Sequence, residues 1–188
     1  MTLLRIDLRL KPAPQGLQEL AEWPGRNFTP DFIVAASGLA RFELDDKVMA
    51  VPVDSHGSRI ESVNAAELDE QKYNPWLPDY IAGFALNLAD ATAAIKAKKK
   101  TQAHARFIDE TLELILQSEP EEPGSLTLSF YHASKPVQSC KGPASLFYAE
   151  IGRSLQDLVV QLLNINPALS DYNDIERLRG WICQIVAR

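Results

Sequence analysis

Phe147, Ile151, Leu155, Leu158, Val159 and Leu162 recur at spacings of three and four across residues 144–164. That period matches the turn of an α-helix and places all six side chains on one stripe. A helix of this kind draws most of its stability from whatever covers its apolar face. The rest of the chain must therefore build a surface to receive it.

Several segments can contribute to that surface. Ile81, Phe84, Leu88 and Ile95 form a second helical stripe over 80–97, with Pro78 near its first turn. Phe107, Ile108, Leu112, Ile115 and Leu116 predict a third helix over 102–117. Lys98-Lys99-Lys100 offers no breaker between the two, so a helical hairpin and one long bent helix both fit. Ile175, Leu178, Ile182, Ile185 and Val186 make the buried face of a last helix starting near Asn173. Asn173 and Glu176 have the spacing of a capping box. Shorter helices are predicted at 17–23 and 65–71.

Other stretches have a period of two. Leu4, Ile6, Leu8 and Leu10 alternate with Arg5, Asp7 and Arg9, which predicts a strand with one buried face. Residues 40–44 and 47–53 flank Asp45-Asp46 and read as a β-hairpin, with Pro52 marking an edge or a bulge. Residues 126–132 alternate in the same way, and 32–36 is a brief apolar run that suits a strand. Residues 134–143, bounded by Pro136 and Pro143, read as a loop, and 54–79 as a long irregular connection. The fold class is α+β: one domain over 1–188, a small antiparallel sheet with a hairpin packed against four or five helices. Its weakest seam is 118–125. The predicted core sets helix 144–164 against 80–97, 102–117 and 173–187.

The chain is 188 residues long, with a formal charge of −6 and 46% hydrophobic residues. That is long enough to bury a core without staples and too hydrophobic for intrinsic disorder. Cys140 and Cys183 are too few for a disulfide framework and lack the paired spacing of a zinc site; two reduced, partly buried thiols are expected. Acidity argues against nucleic acid and against an anionic membrane surface as partners. The N-terminal residues lack the features of a secretion signal, and no run reaches the length of a membrane span. A cytoplasmic protein is the expectation.

No nucleophile elbow, phosphate loop or dinucleotide fingerprint is present, and no cofactor is expected. Asp54, Ser55 and His56 follow a strand and open the long connection, a position where catalytic groups often sit. The same residue types are ordinary turn formers. His104 is expected to be solvated, early in a helix. His132 shares a strand face with Leu126, Leu128 and Phe130. Gly152 interrupts a helix and is read as a packing residue.

Charge distribution is more informative. Residues 43–79 hold nine acids against Lys47, Arg59 and Lys72, an excess of 9 − 3 = 6 that equals the net charge of the chain. A second run, 109–122, holds six acids and no base. Either can be a solvated face that aids solubility. In the first, Asp54, Glu67, Asp69 and Glu70 interleave with Tyr73, Trp76 and Tyr80, a mixture suited to holding a basic protein partner. The expected function is therefore non-enzymatic protein binding, of the kind a stoichiometric inhibitor or an immunity or antitoxin protein performs. The alternative is a small hydrolase or transferase with its site near Asp54, Ser55 and His56.

Overall fold

Strand β1 (Leu4–Leu10) buries Leu4, Ile6 and Leu8, as its alternation predicts. The computed structural model describes residues 3–24, 32–54, 59–108 and 111–187. Helix α1 (Pro14–Glu22) and the one-turn α2 (Phe32–Ala35) follow β1. The run at 32–36 is thus helical where a strand was expected, because a short apolar run carries no period that separates the two. Gly16 lets these helices meet: a Cβ there would lie 2.6 Å from the Ala35 carbonyl oxygen.

The hairpin forms as β2 (Gly38–Leu44) and β3 (Lys47–Pro52), closed by Asp45 and Asp46 at φ 50° and 60°. Two positive φ values are the mark of the type I′ turn, whose twist suits a hairpin. The connection at 54–79 is more ordered than its lack of periodicity predicts. It contains β4 (Glu61–Asn64), a 3-10 turn (Ala65–Glu67), β5 (Tyr73–Asn74) and β6 (Leu77–Asp79). The helix expected at 65–71 is only that 3-10 turn. The strands form an antiparallel sheet in the order β1-β2-β3-β4, with β6 along β2 and β5 along β3.

Helix α3 (Ile81–Lys96) ends where the lysines begin. Beyond it the chain forms not a third long helix but β7 (Gln102–Arg106) and β8 (Leu112–Ser118). Both alternatives for 79–117 are overturned. Ala103, Ala105, Leu112, Leu114 and Leu116 are buried in a period of two, and a helical spacing among the same apolar residues is coincidental. The predicted strand is β9 (Ser125–His132), and the expected loop at 134–143 is its partner β10 (Lys135–Pro143). Pro136 lies at a register shift and Pro143 ends the strand, so both prolines occupy places an edge strand tolerates. The second sheet has the order β10-β9-β8-β7, all antiparallel. Residues 118–125 are the turn between β8 and β9 and its flanks, with Glu119 N–H donating to Ser125 O at 3.3 Å.

Helices α4 (Ala144–Ile165) and α5 (Asn173–Val186) complete the chain. Asn173 is the first helical residue, and Tyr172 holds the cap position without a side-chain cap. The class is α+β, but with ten strands in two sheets among the described residues rather than one small sheet. α4 packs on β1 and α5, and α3 on β7 and α5. Strand β7 thus stands where the core was expected to contain a helix. Phe42, Phe84, Phe107 and Phe130 join both sheets to α3, with Phe84 and Phe107 ring centres 4.2 Å apart.

Beside the hydrophobic contact, α4 uses side chains to close the outer edge of β1. Ile6 N–H donates to Glu150 Oε1 at 2.8 Å, and Arg153 Nη2 donates to Ile6 O at 2.7 Å. About two turns further on, the Gln161 amide donates to Leu8 O at 2.8 Å and accepts from Leu10 N–H at 2.9 Å. Alternate residues of a strand turn their polar groups to the same edge, which is why three side chains of one helix suffice.

Candidate acidic and aromatic face

The segment between β4 and α3 owes its shape to short side chains that bind nearby backbone. Asn64 Oδ1 accepts from Ala66 N–H at 3.1 Å, Asp69 Oδ1 from Gln71 N–H at 3.0 Å, and Asn74 Oδ1 from Trp76 N–H at 3.0 Å. These are local side-chain turns that replace a backbone ladder. They hold the segment in place while β5 pairs with β3 and β6 with β2.

The acids meet different fates. Asp54 is exposed just beyond β3, and Glu67 is exposed at the end of the 3-10 turn. Asp69 is half-buried, holds its local turn and pairs with Lys72 at 3.4 Å. Glu70 is exposed and lies 4.0 Å from Arg41 of β2. Glu61 pairs with Arg59 at 3.3 Å and accepts from the Tyr73 hydroxyl at 3.4 Å. Glu43 and Asp79, counted in the sequence excess, are buried. Both Asp79 oxygens accept from Ile108 N–H at 3.1 Å, which ties β6 to the segment after β7.

Tyr73, Trp76 and Tyr80 are all half-buried. Tyr73 is in β5, paired with Pro52, and Tyr80 caps α3 beside a cavity of about 290 Å³. Trp76 carries the Arg9 guanidinium 3.9 Å from its ring centre. Arg9 pairs with Leu39 across β1–β2, and Leu39 pairs with Pro78 across β2–β6, which brings the arginine to the tryptophan. Arg9 and Arg41 were absent from the sequence-level site. Their signal is the period of two: Arg5, Asp7 and Arg9 of β1 alternate with its buried leucines and isoleucine, and strand pairing delivers them to residues distant in sequence. The face is consequently less negative than a count along 43–79 predicts.

Three described acids of the second run, Glu113, Glu119 and Glu122, also have basic partners. Glu113 pairs with His104 at 3.0 Å and with Arg106 at 3.5 Å, while Lys141 bridges Glu119 and Glu122 at 3.6 and 3.2 Å. His104 is therefore a strand residue of β7 in hydrogen-bond contact with Glu113, not a helical one. Gly152 fits its packing role, since a Cβ there would lie 2.5 Å from Val186 Cγ1 of α5.

Ser55 and His56 lie outside the described residues. Among the described residues, Asp54 has no contact that would distinguish it as a catalytic acid. Among the described residues no three His, Cys, Asp or Glu side chains gather as a metal site. Burial, with the nearby charge of Asp45, pushes the Cys140 thiol up to about 12, so it is protonated and inert as a nucleophile at neutral pH. Cys183 is exposed, not partly buried. No helix among the described residues is long and apolar enough to cross a membrane. No protein-family model, curated protein or solved structure matches the chain.

Proposed function

We propose that the protein is a non-enzymatic binding module whose edge from Asp54 to Tyr80 holds a basic surface of a protein partner. The observation that supports this reading is that a segment fixed by its own side-chain turns carries both exposed acids, Glu67 and Glu70, and half-buried aromatics, Tyr73 and Trp76. A segment already held in shape loses less entropy on binding than a mobile one. Its ion pairs are with exposed cations such as Lys72 and Arg59, which a partner's lysine or arginine can replace. Stoichiometric inhibition of a basic protein, in the manner of an immunity protein or antitoxin, suits such a surface.

Charge on an exposed rim acts mostly on association, and aromatic anchors act mostly on dissociation. The test uses the partner recovered by native pull-down and identified by mass. Glu67→Lys with Glu70→Lys should slow association about tenfold at low salt and much less near 0.5 M salt. Trp76→Ala should raise the dissociation rate. If neither variant changes either rate while the fold is retained, the contact surface is elsewhere.

A further inference from the structure

A groove of about 860 Å³ runs between the N-terminal half of α4 and the C-terminal half of α5. Its apolar lining comes from Ala149 and Gly152 on one side and Ile182, Ile185 and Val186 on the other, with the Tyr148 ring at one end. The absence of a side chain at Gly152 brings the helices close at the floor. Three polar side chains line the same space: Ser145, Tyr148 and Gln156 of α4. None of the three has a hydrogen-bond partner among the described residues. The Tyr148 phenol is also pushed up by burial, so it remains a donor.

Lys96 supplies the charge. Its Nζ donates to Ile185 O at 2.7 Å and to Ala187 O, and it lies 5.4 Å from the Tyr148 ring centre. These partners are neutral carbonyls and a π face. No carboxylate among the described residues pairs with Lys96, and Lys98, Lys99 and Lys100 are exposed just beyond it. Arg153, the other cation at the groove, is already held by Glu150 and Asp157 at 2.7 and 2.5 Å. The groove thus has partly exposed apolar walls, the half-buried Tyr148 phenol, the exposed polar side chains of Ser145 and Gln156 at its rim, and a positive charge with no carboxylate partner among the described residues, a combination suited to an amphipathic anion.

We infer that this groove binds a straight-chain aliphatic carboxylate, with its head at Lys96 and Tyr148 and its tail along Gly152 and Ile182 towards Gln156. Charge complementarity selects the carboxylate, and groove length selects the tail. From the head at Tyr148 to Gln156 is eight residues along α4, about 12 Å at 1.5 Å per residue. An extended chain of C–C bonds near 1.5 Å advances roughly 1.25 Å per bond, so about ten carbons lie along this stretch and a twelve-carbon chain fills it.

Dodecanoate, kept below its micelle concentration, is the probe, read by calorimetry. Saturable one-to-one binding is expected, with a negative heat-capacity change from apolar burial. Ala149→Trp should abolish it by filling the groove from an exposed helical position. Lys96→Met should weaken it about tenfold, and dodecanol should bind the unaltered protein more weakly by a similar factor. Because Lys96 also caps α5, the far-ultraviolet spectrum of its variant is compared first, and Ala149→Trp carries the decision if that helix is lost. Absence of saturable binding, binding untouched by Ala149→Trp, or equal affinity for dodecanol and dodecanoate would overturn the inference. So would an acidic amphipathic peptide that occupies the groove when dodecanoate does not.

Discussion

Lys98 closes α3 at φ 55°, a left-handed conformation in which a Cβ is crowded and glycine is the usual occupant. The hydrogen bonds are those of a Schellman motif: Lys98 N–H donates to Ile95 O at 2.9 Å and Lys99 N–H to Ala94 O at 3.0 Å. Lys98 is exposed. Lys98→Gly should therefore stabilise the protein by about 1 kcal/mol, raising the thermal midpoint by roughly 2–4 °C. Scanning calorimetry of the two proteins checks this. Cys140 makes a prediction of opposite sign under alkaline conditions. Its folded pKa is raised to about 12 from the ordinary value of 9.0, so the buried thiol stays neutral while the unfolded chain ionises. The contribution is fully present below pH 9 and is lost as pH rises from there towards 12, by at most about 1.4 kcal/mol per pH unit. Urea midpoints measured between pH 8 and 10.5 should fall more steeply for the native sequence than for Cys140→Ala.

At the scale of elements, the edge of β1 gives the clearest test. Gln161→Leu removes both partners of Leu8 O and Leu10 N–H at that edge, and a buried polar group left unpaired costs about 1–3 kcal/mol. The variant should unfold at lower urea, and hydrogen exchange at the Leu10 amide should quicken. Which elements were legible follows from similar local chemistry. α4, α5, β1 and β9 carry long, regular periods, and the hairpin at Asp45-Asp46 lies between two extended runs. Strands β7, β8 and β10 were hidden because their boundary markers are unusual. Lys98 ends a helix in the place of glycine, and Ala133-Ser134 turns a hairpin at φ 48° and 63° without Gly or Asn. Pro136 and Pro143 mimic a loop because an edge strand can hold them. The candidate face divides likewise. Its acids and aromatics are contiguous in sequence, whereas Arg9 and Arg41 reach it only through strand pairing.

Across the whole molecule, buried residues from β1 to α5 form one hydrophobic cluster, with Phe42, Phe84, Phe107 and Phe130 linking its two sheets. The acidic and aromatic edge lies on the first sheet and its connections, and the lysine-ended groove lies between the two last helices. A partner protein and a carboxylate ligand would therefore engage separate elements of one packed core. The closure of β1 by α4 also has a consequence in time. Leu10 and Gln161 are 151 residues apart, and a ribosome adding 5–20 residues per second needs roughly 8–30 s to travel that distance. During that interval a nascent chain carries its first strand with a bare side, open to pairing with any neighbour. Crowded translation is thus the moment at which this protein is most exposed to tangling with copies of itself, and slowing synthesis beyond β10 would lengthen the risk.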